Sequence, residues 1–387
     1  MNNSTRRNKN SNKHNHTKKL NRNKIFTLES KTPLEIRKIS NEIAEGFIHH
    51  SLLKIDSYNP TINNDLVSLK SIPRKPLLDC NIEAAYQLTE PLKIGIPGYF
   101  YGKTCYNYNS NRAKKFLLKN LSANKHVNIN KIIPPVQTQS NCWFNSFFVT
   151  FFVSDKGRKF FHYFRQLMIE GKQTTGETIP ENLRHAFALL NFGIDACLTG
   201  NNFAYELNTN SVIHQLYHSI PKQYRSQYLV DVDKGSNPIL YYTSIINYLN
   251  NNSISLIMLR HSKSDWKKKI IPLLNKSKHL PHIIVLEVID DDASKFDKAI
   301  SFKIDYATYK IDSAVVRDTT KRHFCSLLTC EGNQMAYDGM SFNRLVPVTW
   351  KDKLNISGFE WKFAGTNANL KWNFTKCYQL LMYYRVS

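Results

Sequence analysis

Apolar residues change rhythm about two-thirds of the way along the chain. Before that point they recur every three or four residues, the spacing that lines up one face of a helix. Ile36, Ile39, Ile43 and Phe47 keep this spacing. They follow Thr32, Pro33 and Glu35, which read as an N-cap, a first-turn proline and the partner of a capping box. Leu53 to Lys103 is rich in proline and turn residues and reads as irregular. Ala113 to Ala123 is a short basic helix. Phe147 to Val153 is an unbroken apolar run, and Gly157 to Gly171 is a helical stretch rich in aromatics. In Glu181 to Cys197 the spacing puts Leu183, Phe187, Leu190 and Ile194 on one face. Val212 to Ile220 and Ile239 to Leu249 look like further helices. Beyond them the period shortens. Ser255 to Leu259, His282 to Val288, Ala299 to Ile304, Tyr309 to Arg317, His323 to Cys330 and Gln334 to Tyr337 all favour strands. Helices first, then an antiparallel sheet, is an α+β order. There is no internal repeat.

One junction in this pattern carries chemistry. A polar loop, Gln137-Thr-Gln-Ser-Asn141, runs into Cys142, and the apolar helix-length segment follows at once. Pro134 and Pro135 stop any helix from entering from upstream. Cys142 is therefore expected in the first turn of a buried helix. The unpaired N–H groups and dipole of a helix start favour a thiolate over a thiol. Amide side chains at Gln137, Gln139 and Asn141 are candidate donors to an oxyanion. The bland reading is a buried cysteine opening a core helix.

A base is available downstream. His323 begins a strand, Gly332-Asn333 is a turn signal, and a second strand ends at Asp338. In such a hairpin the start of one strand lies beside the end of its partner. This spacing places His323 next to Asp338, where the carboxylate can hold the imidazole's tautomer. Asp338 precedes Gly339 and also fits an ordinary turn.

At these residues the chain resembles the ubiquitin-specific proteases, cysteine deubiquitinases of the papain-like clan. Asn141-Cys142-Trp143-Phe144-Asn145-Ser146 approximates their Asn-Thr-Cys-aromatic-x-Asn-Ser box without its threonine. The strand Tyr309 to Val316, then His323-Phe324, a hairpin and Tyr337-Asp338 are similar to their histidine box. Tyr378-Gln-Leu-Leu-Met-Tyr-Tyr-Arg385 is similar to the strand that closes their domain. The chain departs from the family at Arg322, where the family has glycine, and at Gly339, where it has aspartate. The family's paired Cys-x-x-Cys zinc sites are also missing. The resemblance implies a papain-like fold, with a helical lobe followed by a sheet lobe, and a Cys142–His323–Asp338 triad. It also implies Gln137 as oxyanion donor and a ubiquitin or ubiquitin-like substrate, with no cofactor.

Composition modifies this reading in three ways. The formal net charge of +23 points to an acidic partner, although abundant asparagine and lysine also fit an AT-rich genome. Residues 1–31 form a basic tail, expected to be disordered, that could contact nucleic acid or another polyanion. His14 and His16 there read as solvated rather than metal-binding. The seven cysteines show neither a disulfide framework nor a zinc motif, which favours an intracellular location, cytoplasm, nucleus or virion. No apolar run approaches the ~20 residues of a membrane helix, and no signal-peptide core opens the chain.

Asp290-Asp291-Asp292 is an acidic cluster in a basic chain. It reads as a solvated loop, or as a site where Asp290 and Asp291 pair with arginines of a ubiquitin-like tail. Trp143 reads as packing or as a wall of the substrate channel. Residues 32–127 are expected to form a partly helical extension and 128–387 the catalytic domain. Two other functions fit the same residues: a cysteine endopeptidase that processes structural polyproteins, and an inactive basic binding module.

Overall fold

The structure is a computed structural model. It describes residues 77–387 apart from 98–101, 124–125, 174–175, 250–255, 262–267, 269, 273–279, 296, 342–343, 365–366 and 368. The basic tail, the Thr32–Glu35 capping box and the Ile36–Phe47 pattern lie outside the described residues.

The change of rhythm in the sequence is a change of architecture. Helices α1 (Ile82–Tyr86) and α2 (Asn111–Ala123) flank a hairpin of β1 (Lys93–Pro97) and β2 (Lys103–Asn107). Then come α3 (Cys142–Phe152), α4 (Asp155–Phe160), α5 (His162–Glu170), α6 (Glu181–Thr199), α7 (Thr209–Ser219) and α8 (Pro238–Tyr248). The strands follow: β3 (Leu256–His261), β4 (Ile283–Val288), β5 (Ser301–Ile304), β6 (Ala307–Arg317), β7 (Phe324–Cys330), β8 (Asn333–Tyr337), β9 (Val346–Pro347) and β10 (Gln379–Arg385). The fold is α+β. Two expectations are corrected in detail. The Gly157–Gly171 stretch is two helices, because Phe161 interrupts the ladder between α4 and α5. The described part of Leu53–Lys103 is not irregular. Its apolar positions are too few for a periodic signal, yet Leu92 and Ile94 are buried.

Local chemistry sets the helix ends. Ser154 caps α4 by accepting from the Gly157 N–H at 3.1 Å. Asn237 caps α8 by accepting from Ile239 N–H at 2.9 Å, with Pro238 in the first helical position. Gly200 ends α6 at φ +67°, a left-handed conformation that costs glycine little.

The main sheet runs β3-β4-β10-β6-β7-β8-β9, with β5 on β6. Every pairing is antiparallel except β3 with β4, which is parallel. The sequence pattern gave no warning of that exception, since direction leaves no trace in side-chain period. One face of the sheet packs on the helices and the other on the irregular segment carrying Trp350, Trp361 and Trp372. Helix α3 is buried along all eleven residues. It packs by aromatic stacking: Phe151 lies flat on Phe161 at 4.0 Å, and both touch Tyr242. The 77–121 segment shares this core, with Leu77, Ile82, Phe116 and Leu121 in one cluster with α3. Cys80 and Cys105 form a disulfide that ties the approach to α1 to β2. This pairing corrects the expectation drawn from cysteine spacing and removes that argument for a reducing compartment.

The β7–β8 hairpin is anchored at its tip. Glu331 and Gly332 turn the chain with positive φ, +47° and +77°. Their backbone N–H groups donate to the two Asp155 carboxylate oxygens at 2.7 and 2.9 Å. Arg158 lies beneath and donates to Asp155 at 2.8 Å and to Glu331 at 2.6 Å. Burial opposes the Arg158 charge, but Cys330, Asp155 and Glu331 outweigh it. Arg158→Ala removes the guanidinium that joins the Asp155 and Glu331 carboxylates. It is expected to cost about 3 kcal/mol, the low end for a broken buried pair because both acids keep some solvent. Urea denaturation of the variant measures this.

Candidate active site

Cys142 is residue one of α3 and is 5% exposed. Its helix-start N–H has no acceptor within the helix. His323 stands immediately before β7 and Asp338 immediately after β8, and Ser326 pairs with Tyr337 in the register between them. The hairpin thus brings the two side chains together as its spacing predicts. His323 Nε2 and Asp338 Oδ1 are 2.6 Å apart. The Cys142 thiol lies near the same imidazole and interacts with it. Burial pushes the His323 pKa down, but the interactions with Asp338 and Cys142 prevail and raise it to about 10.

Asp338 is fully buried, and further hydrogen bonds hold its carboxylate. Oδ1 also accepts from the Met340 N–H at 3.1 Å, and Oδ2 accepts from the Ser341 hydroxyl. Gln137 is drawn to the same turn: its backbone N–H donates to the Gly339 carbonyl at 2.9 Å. Its side-chain Nε2 donates to the Gln139 carbonyl at 2.9 Å, which leaves the second N–H of that amide. A β-carbon at Gly339 would stand 2.7 Å from the Tyr337 hydroxyl and 3.2 Å from Gln137 N. The close passage of the Gln137 backbone and the Tyr337 hydroxyl therefore favours glycine at 339. Arg322 needs no such explanation, since its φ is not positive.

An open groove of about 910 Å3 reaches His323 but is not lined by Cys142 or Asp338. Gln137, His323 and Met340 line it together with Arg322, Lys371 and Lys376, and Glu360 is its one acidic residue. Glu360 is itself paired with Lys371 at 3.0 Å.

No family model and no curated protein matches this chain. Among solved structures it is similar to the SAGA DUB module Ubp8/Sgf11/Sus1/Sgf73 bound to monoubiquitin. That likeness has a TM-score of 0.40 and 10% identity over 91% of this chain and 95% of that one. The module bound to ubiquitin aldehyde gives 0.39 and 9%, over 91% and 94%. An essential yeast splicing factor gives 0.37 and 10%, over 84% and 80%. At these values the likeness carries no argument about activity.

The remaining sequence candidates lie elsewhere. Trp143 is 0% exposed, donates from Nε1 to the Lys234 carbonyl at 3.1 Å and packs edge-on against Tyr241. It is a core residue in this conformation and does not line the groove. Asp290 is engaged internally by Arg317 at 2.6 Å and Lys321 at 3.0 Å, and it accepts from the Tyr378 N–H. Asp291 is exposed in the same short turn.

Several residues that shape the site have no signal in their spacing. Asp318 accepts from the Arg322 and His323 N–H groups at 2.8 and 2.6 Å and so shapes the approach to the histidine. Trp372 stands edge-on to the His323 ring at 6.0 Å. Thr209, at the start of α7, accepts from Asn141 and donates to Asn145, both at 2.8 Å, bracing the two asparagines that flank Cys142. Asn210 donates to Thr138 and Gln139 at 3.1 Å. Asn208 caps α7 by accepting from the Asn210 N–H at 3.0 Å, and nothing in the sequence at 208–210 points 68 residues back along the chain.

The raised His323 pKa has a consequence for stability. Its folded value of about 10 lies above the ordinary 6.5. Its contribution is therefore fully present below about pH 6.5 and is lost as pH rises through about 10. Wild-type protein should lose more unfolding free energy between pH 7 and 10.5 than His323→Gln, as read by denaturation at each pH.

Proposed function

We propose that the protein is a cysteine-dependent peptidase with the lobe order of papain-like enzymes, using Cys142 as nucleophile, His323 as acid and base, and Asp338 as the orienting carboxylate. One observation carries the reading. A thiol at a helix start lies beside a buried imidazole, whose Nε2 meets a fully buried carboxylate at 2.6 Å. A protonated imidazole beside a sulfur favours the sulfur's nucleophilic anion. The sulfur forms a bond to a carbonyl carbon, and His323 delivers its proton to the departing amine as the C–N bond breaks. Water then replaces the sulfur, giving its proton to His323, and the acid product leaves. The Cys142 N–H and the free N–H of Gln137 are the donors available to the oxyanion.

For substrate, the sequence boxes favour a ubiquitin or ubiquitin-like C-terminal glycine in isopeptide linkage. A specific observation favours a second reading. Arg322, Lys371 and Lys376 make the groove basic, and Asp290 is already held by two cations. Such a groove suits neutral or acidic polypeptide better than an arginine-bearing tail, as an endopeptidase acting on structural polyproteins would need. A ubiquitin probe with a C-terminal thiol-reactive warhead distinguishes the two. Labelling that needs Cys142 supports the deubiquitinase. Rapid alkylation of Cys142 by a small reagent without probe labelling supports the endopeptidase. Failure of both reagents at Cys142 would leave a basic binding module, with the N-terminal tail a candidate nucleic-acid contact.

A further inference from the structure

His214 and His218 are one turn apart on α7, so both rings leave the same face of the helix. Their centroids are 4.2 Å apart. Asp231 reaches in from the loop that follows, with Oδ1 3.1 Å from His214 Nδ1 and Oδ2 3.0 Å from His218 Nε2. One donor atom from each of the three residues falls within 4.8 Å of the others. This is the only such group of three among the described residues, and it shares no residue with Cys142, His323 and Asp338.

We propose that His214, His218 and Asp231 bind a divalent transition-metal ion of the zinc type. Two imidazoles and a carboxylate are the donors that zinc, cobalt(II) and nickel(II) accept, whereas magnesium and calcium prefer oxygen alone. The donors are partly organised before any ion arrives. A helix fixes the histidines, and the Val232 N–H donates to Asp231 Oδ1 at 2.8 Å. The histidines are about half exposed, so water can complete the coordination.

The position gives the ion something to hold. At its start, α7 supplies Thr209 and Asn210, which brace the loop ahead of Cys142. The Asp231 turn continues to Lys234, whose carbonyl receives the Trp143 indole N–H. An ion joining α7 to this turn fastens two supports of the nucleophile helix to each other. The inference rests on the metal donors alone and stands or falls separately from the peptidase reading.

The test uses the full chain stripped with a chelator, then titrated with Zn2+ against a chromophoric competitor and with Co2+ by visible absorption. The wild type is expected to bind one equivalent more than the double variant His214→Gln/His218→Gln. Asp231→Asn should weaken that site at least about 10-fold. The cobalt complex should show tetrahedral-type absorption that disappears in the double variant, without the thiolate charge transfer of a cysteine ligand. Zn2+ should raise the wild-type Tm and leave that of the double variant unchanged. His14 and His16 are present in all forms and cancel in the comparison. Equal stoichiometry in wild type and double variant, or a Zn2+-induced Tm rise that survives the substitutions, would overturn the proposal. Should the double variant not fold, unchanged Zn2+ affinity in Asp231→Asn would do the same.

Discussion

Cys142→Ala should abolish turnover, lowering the rate by about 10^4-fold or more, while leaving the fold intact. The two halves of this result come from different parts of the structure. The sulfur is the only group at the helix start able to form the acyl bond, so no neighbour replaces it. The fold should tolerate the change because the side chain is small and its interaction with His323 adds little to an imidazole already held by Asp338. A fluorogenic peptide or ubiquitin substrate reads the first half, and thermal unfolding reads the second. A variant that unfolds instead would mean that Cys142 is a packing residue. Residual turnover near the wild-type rate would remove it as nucleophile.

Asp338→Ala should damage both activity and stability. The substitution leaves the His323 ring N–H and the Met340 N–H without their acceptor and the Ser341 hydroxyl without its own. Removing one partner from a buried charged pair typically costs about 3–5 kcal/mol. Loss of the orienting group should lower kcat by about 10^3 to 10^4-fold. Asp338→Asn separates the contributions. Its amide oxygen still accepts from His323 and Met340, and its amide nitrogen can donate to Ser341. Stability should therefore largely return. The charge that helps hold the imidazole proton does not return, so the alkaline limb of the activity profile should move to lower pH. A pH–rate profile beside urea denaturation makes both comparisons. If alanine and asparagine behave alike in both assays, the carboxylate has no orienting role.

The legible parts of the molecule were those where periodicity or a turn dictates placement. Apolar spacing located α6 through Leu183, Phe187, Leu190 and Ile194, and all four are buried. The turn at 331–333 located His323 beside Asp338, because a hairpin leaves little choice about which residues meet. What stayed hidden depends on contacts between distant segments. Thr209 and Asp318 act through hydrogen bonds that any loop threonine or aspartate could make, and only tertiary placement selects them. Trp143 was read two ways from sequence, since an aromatic beside a nucleophile suits a core and a channel equally. The Lys234 carbonyl that receives its indole N–H is one more contact that the sequence does not reveal. The Cys80–Cys105 bond was invisible because its partners, 25 residues apart, follow no repeated spacing.

The strand order bears on how the protein is made. β10 is later in sequence than every other described strand, yet it lies between β4 and β6. A nascent chain that has emerged only as far as β9 has an open slot in the middle of its sheet. The apolar edges of β4 and β6 are then exposed to other chains. Its nucleophile helix and its histidine hairpin have both been synthesised, but the strand that joins the two halves of the sheet is missing. The sheet between the nucleophile helix and the histidine hairpin is therefore complete only once β10 has paired with both β4 and β6. Until then the growing polypeptide depends on chaperones, or on speed of synthesis, to avoid mispairing.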